Sequence, residues 1–279
     1  MNHAHRGDFE RAIALKDEAL RQTDAHFDLN LYVYALCGAS WSLTWPGRWD
    51  EAVEEAQKAL DAAERFSDHR LGSMAAWSIS VAYTLKGDLD RAIQFGELSV
   101  EKTPTPADRV MGEAYLGFAW CKAGQVDKGI ELLAPAVEAG RAAGFAVFEY
   151  TFAPYLGEGY ILAGQYDKAR EILTEHLELA KGCGGRWGMV WSHRLLGEVA
   201  LKTNPGEAAP HFERAIEISR EIKAENDLAL AYSGMGRLRK LTGEYAEARR
   251  YLTQALEIFE RLGTLIEPDK VRRELAELE

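Results

Sequence analysis

Apolar and small positions along the chain recur with helical spacing, and no strand-like alternation of period two appears between the turns. The recurrence is itself periodic. A glycine, a large apolar residue two positions on, and a small residue three further on read "GDFERA" at Gly7, "GRWDEA" at Gly47 and "GDLDRA" at Gly87. The same pattern returns as "GQVDKG" at Gly124, "GQYDKA" at Gly164 and "GEYAEA" at Gly243, with a degraded copy, "NPGEAAPHFERAI", from Asn204. Successive starts lie about 40 residues apart, a period that belongs to stacked supersecondary units.

Small residues mark where helices meet. One precedes each turn glycine by two helical turns: Ser40, Ser80, Gly117, Gly157, Gly197 and Gly236. Others follow the turn, at Ala12, Ala52, Ala92, Gly129, Ala169 and Ala248. Each unit therefore reads helix, tight turn, helix, with glycine supplying the left-handed residue that ends the first helix. Small facing small lets the paired helices approach closely. Linking segments such as "FSDH", "KTPTPAD", "KGCGGRWG" and "LGTLIEPDK" carry capping or breaking residues.

The expected architecture is an all-α, right-handed superhelical solenoid of about seven helix-turn-helix units, forming one domain over residues 1–279. Units are expected near 1–24, 27–66, 68–103, 106–143, 145–182, 184–223 and 225–262. A capping helix over 267–279 places Val271, Leu275 and Leu278 on one face to cover the last unit. Residues 1 to 6 are too short to be the first helix of the first unit. Either the chain is a piece of a longer protein, or helix 8–24 caps the array unpaired. Pro154, inside "FEYTFAPYLGEGYILAG", predicts either a kinked helix or a helix that begins there.

The stretches "YLGFAWCKAGQVDKGI" and "YLGEGYILAGQYDKAREIL" resemble the tetratricopeptide repeat at their glycine, aromatic, turn-glycine and alanine positions. The resemblance covers roughly residues 6 to 262. The long unit is similar to repeats in the C-terminal regions of maltose-regulator-like activators and of bacterial class III cyclases with an ATPase module. The resemblance implies that the first helix of each unit lines a concave groove, with contact residues at positions two, five, nine and twelve. On this chain position two gives Tyr34, Met74 and Trp191, and position five gives Trp77 and Arg194. Position nine gives Trp41, Phe118, Glu158, Glu198 and Arg237, and position twelve gives Lys240. Such a groove would be apolar and aromatic toward the N-terminus. Toward the C-terminus it would carry Arg194, Arg237 and Lys240 beside Glu158 and Glu198, suiting a ligand with an apolar part and an anionic end. The competing expectation packs Trp77 and Phe118 as core and closes the basic residues into ion pairs.

The same register sorts the tryptophans of "CGASWSLTWPGRWDEA". Trp49 fills the large apolar slot held elsewhere by Phe9, Leu89, Tyr166 and Tyr245, and Trp45 matches Leu85, Leu162 and Leu241. Both are structural by position, and Trp41 alone falls on the groove.

Composition narrows the function. A formal charge of −11 argues against phosphate-backbone binding, so no nucleic acid is expected. No apolar run reaches membrane-span length, and "MNHAHRGDFERA" lacks the apolar core of a signal peptide. Cys37, Cys121 and Cys183 are scattered and odd in number, which fits a reducing, cytoplasmic location. No protease, hydrolase, phosphate-loop or kinase signature is present, and "GCGGRWG" lacks the Lys-Ser/Thr of a phosphate cradle. His3 and His5 make two ligands, too few for a metal site, and a chance meeting of Cys37 with His26 is no better. No enzyme activity, cofactor or metal is expected. Three roles remain: binding a protein or peptide segment in the groove, sensing a small molecule for a regulator, or self-assembly as a homodimer through the N-terminal helix.

Overall fold

The computed structural model describes residues 3, 6–23, 28–144 and 146–278, so His5, His26 and the expected boundaries near 24–27 and 145 lie outside the described residues. Within them the chain is all-α. The helices are α1 (Phe9–Thr23), α2 (Leu29–Thr44), α3 (Trp49–Arg65), α4 (His69–Lys86), α5 (Leu89–Glu101), α6 (Pro106–Lys122) and α7 (Val126–Ala143). They continue as α8 (Ala146–Leu162), α9 (Tyr166–Cys183), α10 (Arg186–Thr203), α11 (Ala208–Ile222), α12 (Glu225–Leu241), α13 (Tyr245–Leu262) and α14 (Glu267–Ala276). A short 3-10 turn, Pro205–Glu207, replaces the degraded sixth turn.

Local chemistry sets the boundaries. Gly47, Gly87, Gly124, Gly164 and Gly243 all take positive φ between 72° and 92°. At Gly87 the amide donates back to the Tyr83 and Thr84 carbonyls, closing the end of α4. Helix starts are capped by side chains: the amides of Leu31, Leu71 and Arg91 donate to Asp28, Asp68 and Asp88, and that of Asp108 to Thr105. Such caps contribute about 1 kcal/mol each.

The chain divides into two compact bodies, built mainly from residues 8–152 and 153–279, with the division inside α8. In the N-terminal body α1 to α7 pack in sequence, and α4 also touches α2 and α6. In the C-terminal body α9 to α14 pack in sequence, and α10 also touches α12. First helices thus meet first helices, as in a solenoid of stacked units.

This layering explains a difference in burial. α4 buries residues on every side, including Leu71, Ala75, Ile79 and Val81, because it is sandwiched. α3 buries only the stripe Trp49, Ala52, Ala56, Ala59, Leu60 and Ala63, and turns its charged face to solvent. The small-residue positions are where backbones close up. A Cβ on Gly117 would lie 2.7 Å from the Gly129 carbonyl oxygen, and one on Gly157 would lie 2.7 Å from Leu173.

α8 runs as one helix from Ala146 to Leu162 with Pro154 inside it, so the helix does not begin at the proline.

Candidate functional site

The first-helix positions carry different chemistry in the two bodies. In the N-terminal body they are aromatic. Trp77 of α4 stacks on Tyr115 of α6 at 4.4 Å between centroids and 10° between planes. Tyr115 meets Phe152 of α8 edge-on at 5.1 Å. Such pairs contribute about 0.5–1.5 kcal/mol beyond the area they bury. Full enclosure pushes the Tyr115 phenol upward from its ordinary value, so it stays neutral. Trp77 and Met74 keep a half-buried edge, and Tyr34 is 50% exposed.

Trp41 and Phe118 do not present rings to solvent. Trp41 is 9% exposed, with Trp45 edge-on at 4.9 Å, and Phe118 is 1% exposed. The physical reason is the close approach of successive first helices, which turns position nine into core. Trp45 and Trp49 are buried as well, although Leu162, Leu241 and Tyr245 in the matching slots are exposed.

In the C-terminal body the same positions build an ionic ladder. Arg194 of α10 is 4% exposed and lies over the Trp191 ring, 5.0 Å from its centroid. Trp191 is 1% exposed and packs against Tyr155 and Trp187, so it belongs to the core. The Arg194 guanidinium lies 3.6 Å from Glu158 of α8 and 3.6 Å from Asp227 of α12. One repeat further, Arg237 of α12 donates to Glu198 of α10 at 2.5 Å and faces Glu274 of α14 at 3.8 Å. Lys240 pairs with Glu277.

Electrostatics follow from this crowding. Burial alone would lower the Arg237 guanidinium, but Glu198, Glu274 and Glu267 together raise it. Burial pushes the Glu274 carboxyl up, Arg237 opposes this, and Glu198 adds to it.

The structure brings Glu158 to Arg194 and Glu198 to Arg237, and leaves Tyr34, Met74 and Trp77 on the other body. Arg194, Arg237 and Lys240 are each set against carboxylates, so none of the three is an unopposed cation. Sequence reasoning missed Asp227 and Glu274. Asp227 sits one helical turn before position two of its unit, on the same face, and Glu274 lies on a helix read only for its apolar stripe.

A second polar cluster joins α10 to α11. His193 and His211 face each other with Nδ1 atoms 3.2 Å apart, one ring donating to the other. Burial first, then His211, Lys181 and Arg214, push His193 down to about 4. Burial and Arg170 lower His211, with Glu207 opposing. No cluster of three or more potential metal ligands occurs among the described residues.

A model of the tetratricopeptide repeat matches residues 150–221 and 203–261. Residues 150–261 carry tetratricopeptide repeats. No curated protein matches its sequence. Among solved structures, this chain is similar to the Rap protein complexed with Competence and Sporulation Factor, at TM-score 0.64 and 13% identity over 98% of this chain and 80% of that one. It is similar to NprR in complex with its cognate peptide NprX, at TM-score 0.60 and 17% identity over 96% and 83%. BtubC from P. vanneervenii aligns at TM-score 0.55 and 16% identity over 78% and 93%. At such identities the likeness is one of fold. Among the described residues no helix is long and apolar enough to cross a membrane.

Proposed function

We propose that this protein is a non-catalytic scaffold that binds a peptide or an extended protein segment on its first-helix face, within a bacterial signalling or regulatory system. The observation that carries the reading is the ordered ladder Glu158–Arg194–Asp227 and Glu198–Arg237–Glu274, spread over α8, α10, α12 and α14. Side chains fixed at repeat spacing suit an extended chain, whose own groups recur at regular intervals. Pre-organised polar groups also lower the entropy cost of binding. The similar fold of NprR, which holds its cognate peptide NprX, supports the same use of the architecture.

An array of random twelve-residue peptides, probed with the full chain, tests the reading. Selective capture of a subset, weakened by Glu198→Ala without loss of helicity, is the expected result. Capture of no peptide, or capture indifferent to Glu198→Ala and to Trp77→Ala, would remove it.

A further inference from the structure

The ladder fixes the charge of the ligand as well as its shape. Around α10, α12 and α14, three carboxylates, Glu198, Glu274 and Glu277, share two cations, Arg237 and Lys240. Lys240 is taken by Glu277, and Arg237 gives its close hydrogen bond to Glu198. Glu274 is left with the longest contact, 3.8 Å to Arg237 Nε. Its Oε2 is enclosed and receives no hydrogen bond, and Arg237 Nε makes none. The Glu274 side chain is nevertheless 23% exposed, so a ligand can reach it.

Arg194 shows the complementary shortage. Its side chain is only 5% exposed, its nearest carboxylates stand at 3.6 Å, and its Nε is enclosed without a hydrogen bond. Buried polar groups in folded proteins nearly always have hydrogen-bond partners, and a guanidinium carries five donors. Flanked by two carboxylates, Arg194 has its charge compensated but its donors unfilled. Enclosed between them, it offers no free charge to an anionic ligand.

We propose that the ligand is a basic peptide segment, whose Lys or Arg side chain is received by Glu274 beside Glu198. Such a side chain supplies the cation that the carboxylate excess lacks. This rests on the peptide-binding reading and reverses the charge of the ligand expected from the basic residues alone. An acidic segment would bring a third negative charge to a cation already shared by two.

Three pools of fluorescein-labelled ten-residue peptides test the assignment, matched in apolar content and carrying Lys/Arg, Asp/Glu or no charge. Anisotropy titrations use the full 279-residue chain. In low salt the basic pool should bind at least about tenfold tighter than the acidic one, an advantage that shrinks as salt screens it. Glu274→Gln, which keeps the volume and removes the charge, should reduce that advantage to about threefold or less. Equal or tighter binding of the acidic pool overturns the charge assignment and leaves peptide binding standing. Binding of no pool overturns both. An undiminished advantage in Glu274→Gln removes Glu274 from the site. Should that variant unfold, the pool comparison on the native chain still decides the charge.

Discussion

Gly129 stands where other units place Ala52, Ala92, Ala169 and Ala248, so a consensus argument recommends Gly129→Ala. Helix propensity recommends it too, since alanine is better than glycine inside a helix by about 1 kcal/mol. The structure says otherwise. A Cβ at Gly129 would lie 2.3 Å from Cys121 Sγ, 2.5 Å from the Gly117 carbonyl oxygen and 2.8 Å from the Cys121 amide nitrogen. Two of these are backbone atoms of α6, so no side-chain rotation relieves the overlap and the helices must separate. Overpacking of this kind costs about 3 kcal/mol. After the propensity gain, the variant should be less stable by about 2 kcal/mol, a fall in Tm of roughly 4–8 °C. Gly38→Ala in α2 is the control, because a Cβ there meets nothing within 4 Å. It should stabilise by about 1 kcal/mol through propensity alone. Thermal melts followed by circular dichroism give the Tm values. Amide exchange over α6 and α7 locates the loss, which matters because repeat arrays need not unfold in one step. A Gly129→Ala chain as stable as Gly38→Ala would refute the close-approach argument.

The His193–His211 pair makes stability fall in acid. Both imidazoles have folded pKa values below the unfolded one, so the unfolded state binds more protons. Their stabilisation is present above about pH 6.5 and is lost as pH falls toward about 4, amounting to about 1–2 kcal/mol once partial exposure is discounted. Urea midpoints at pH 7 and pH 5 should converge in a His193→Gln, His211→Gln double variant; an unchanged pH slope counts against the pair. Lys223 holds φ of 58°, the conformation that Gly144, Gly184 and Gly263 take at the ends of α7, α9 and α13. Lys223→Gly should therefore raise stability by about 0.5–1 kcal/mol, a net of relieved strain against added chain entropy, read by urea denaturation. A loss of that size would show that Lys223 is unstrained.

The repeat was legible because it rests on local chemistry. A turn glycine and facing small residues leave the same mark in every unit, and the positive φ at Gly47, Gly87, Gly124, Gly164 and Gly243 is that mark made structural. The end of α11 was less legible, since Lys223 takes a glycine conformation without glycine. Solvent access on the first-helix face was not legible. Position nine names a direction on a helix, but the burial of Trp41 and Phe118 depends on how closely the next first helix approaches. Pairing was half legible. Glu198 and Arg237 occupy the same position in successive units, so their contact follows from the repeat register. Asp227 and Glu274 needed coordinates, because each reaches the ladder from a position outside the register.

The central claim, that the first-helix face is the binding surface, is tested most directly by backbone hydrogen exchange on the full chain with and without a saturating peptide captured from the array. Slowed exchange concentrated in α8, α10, α12 and α14, with α9, α11 and α13 unchanged, is the predicted result. Protection confined to α9, α11 and α13 would contradict it.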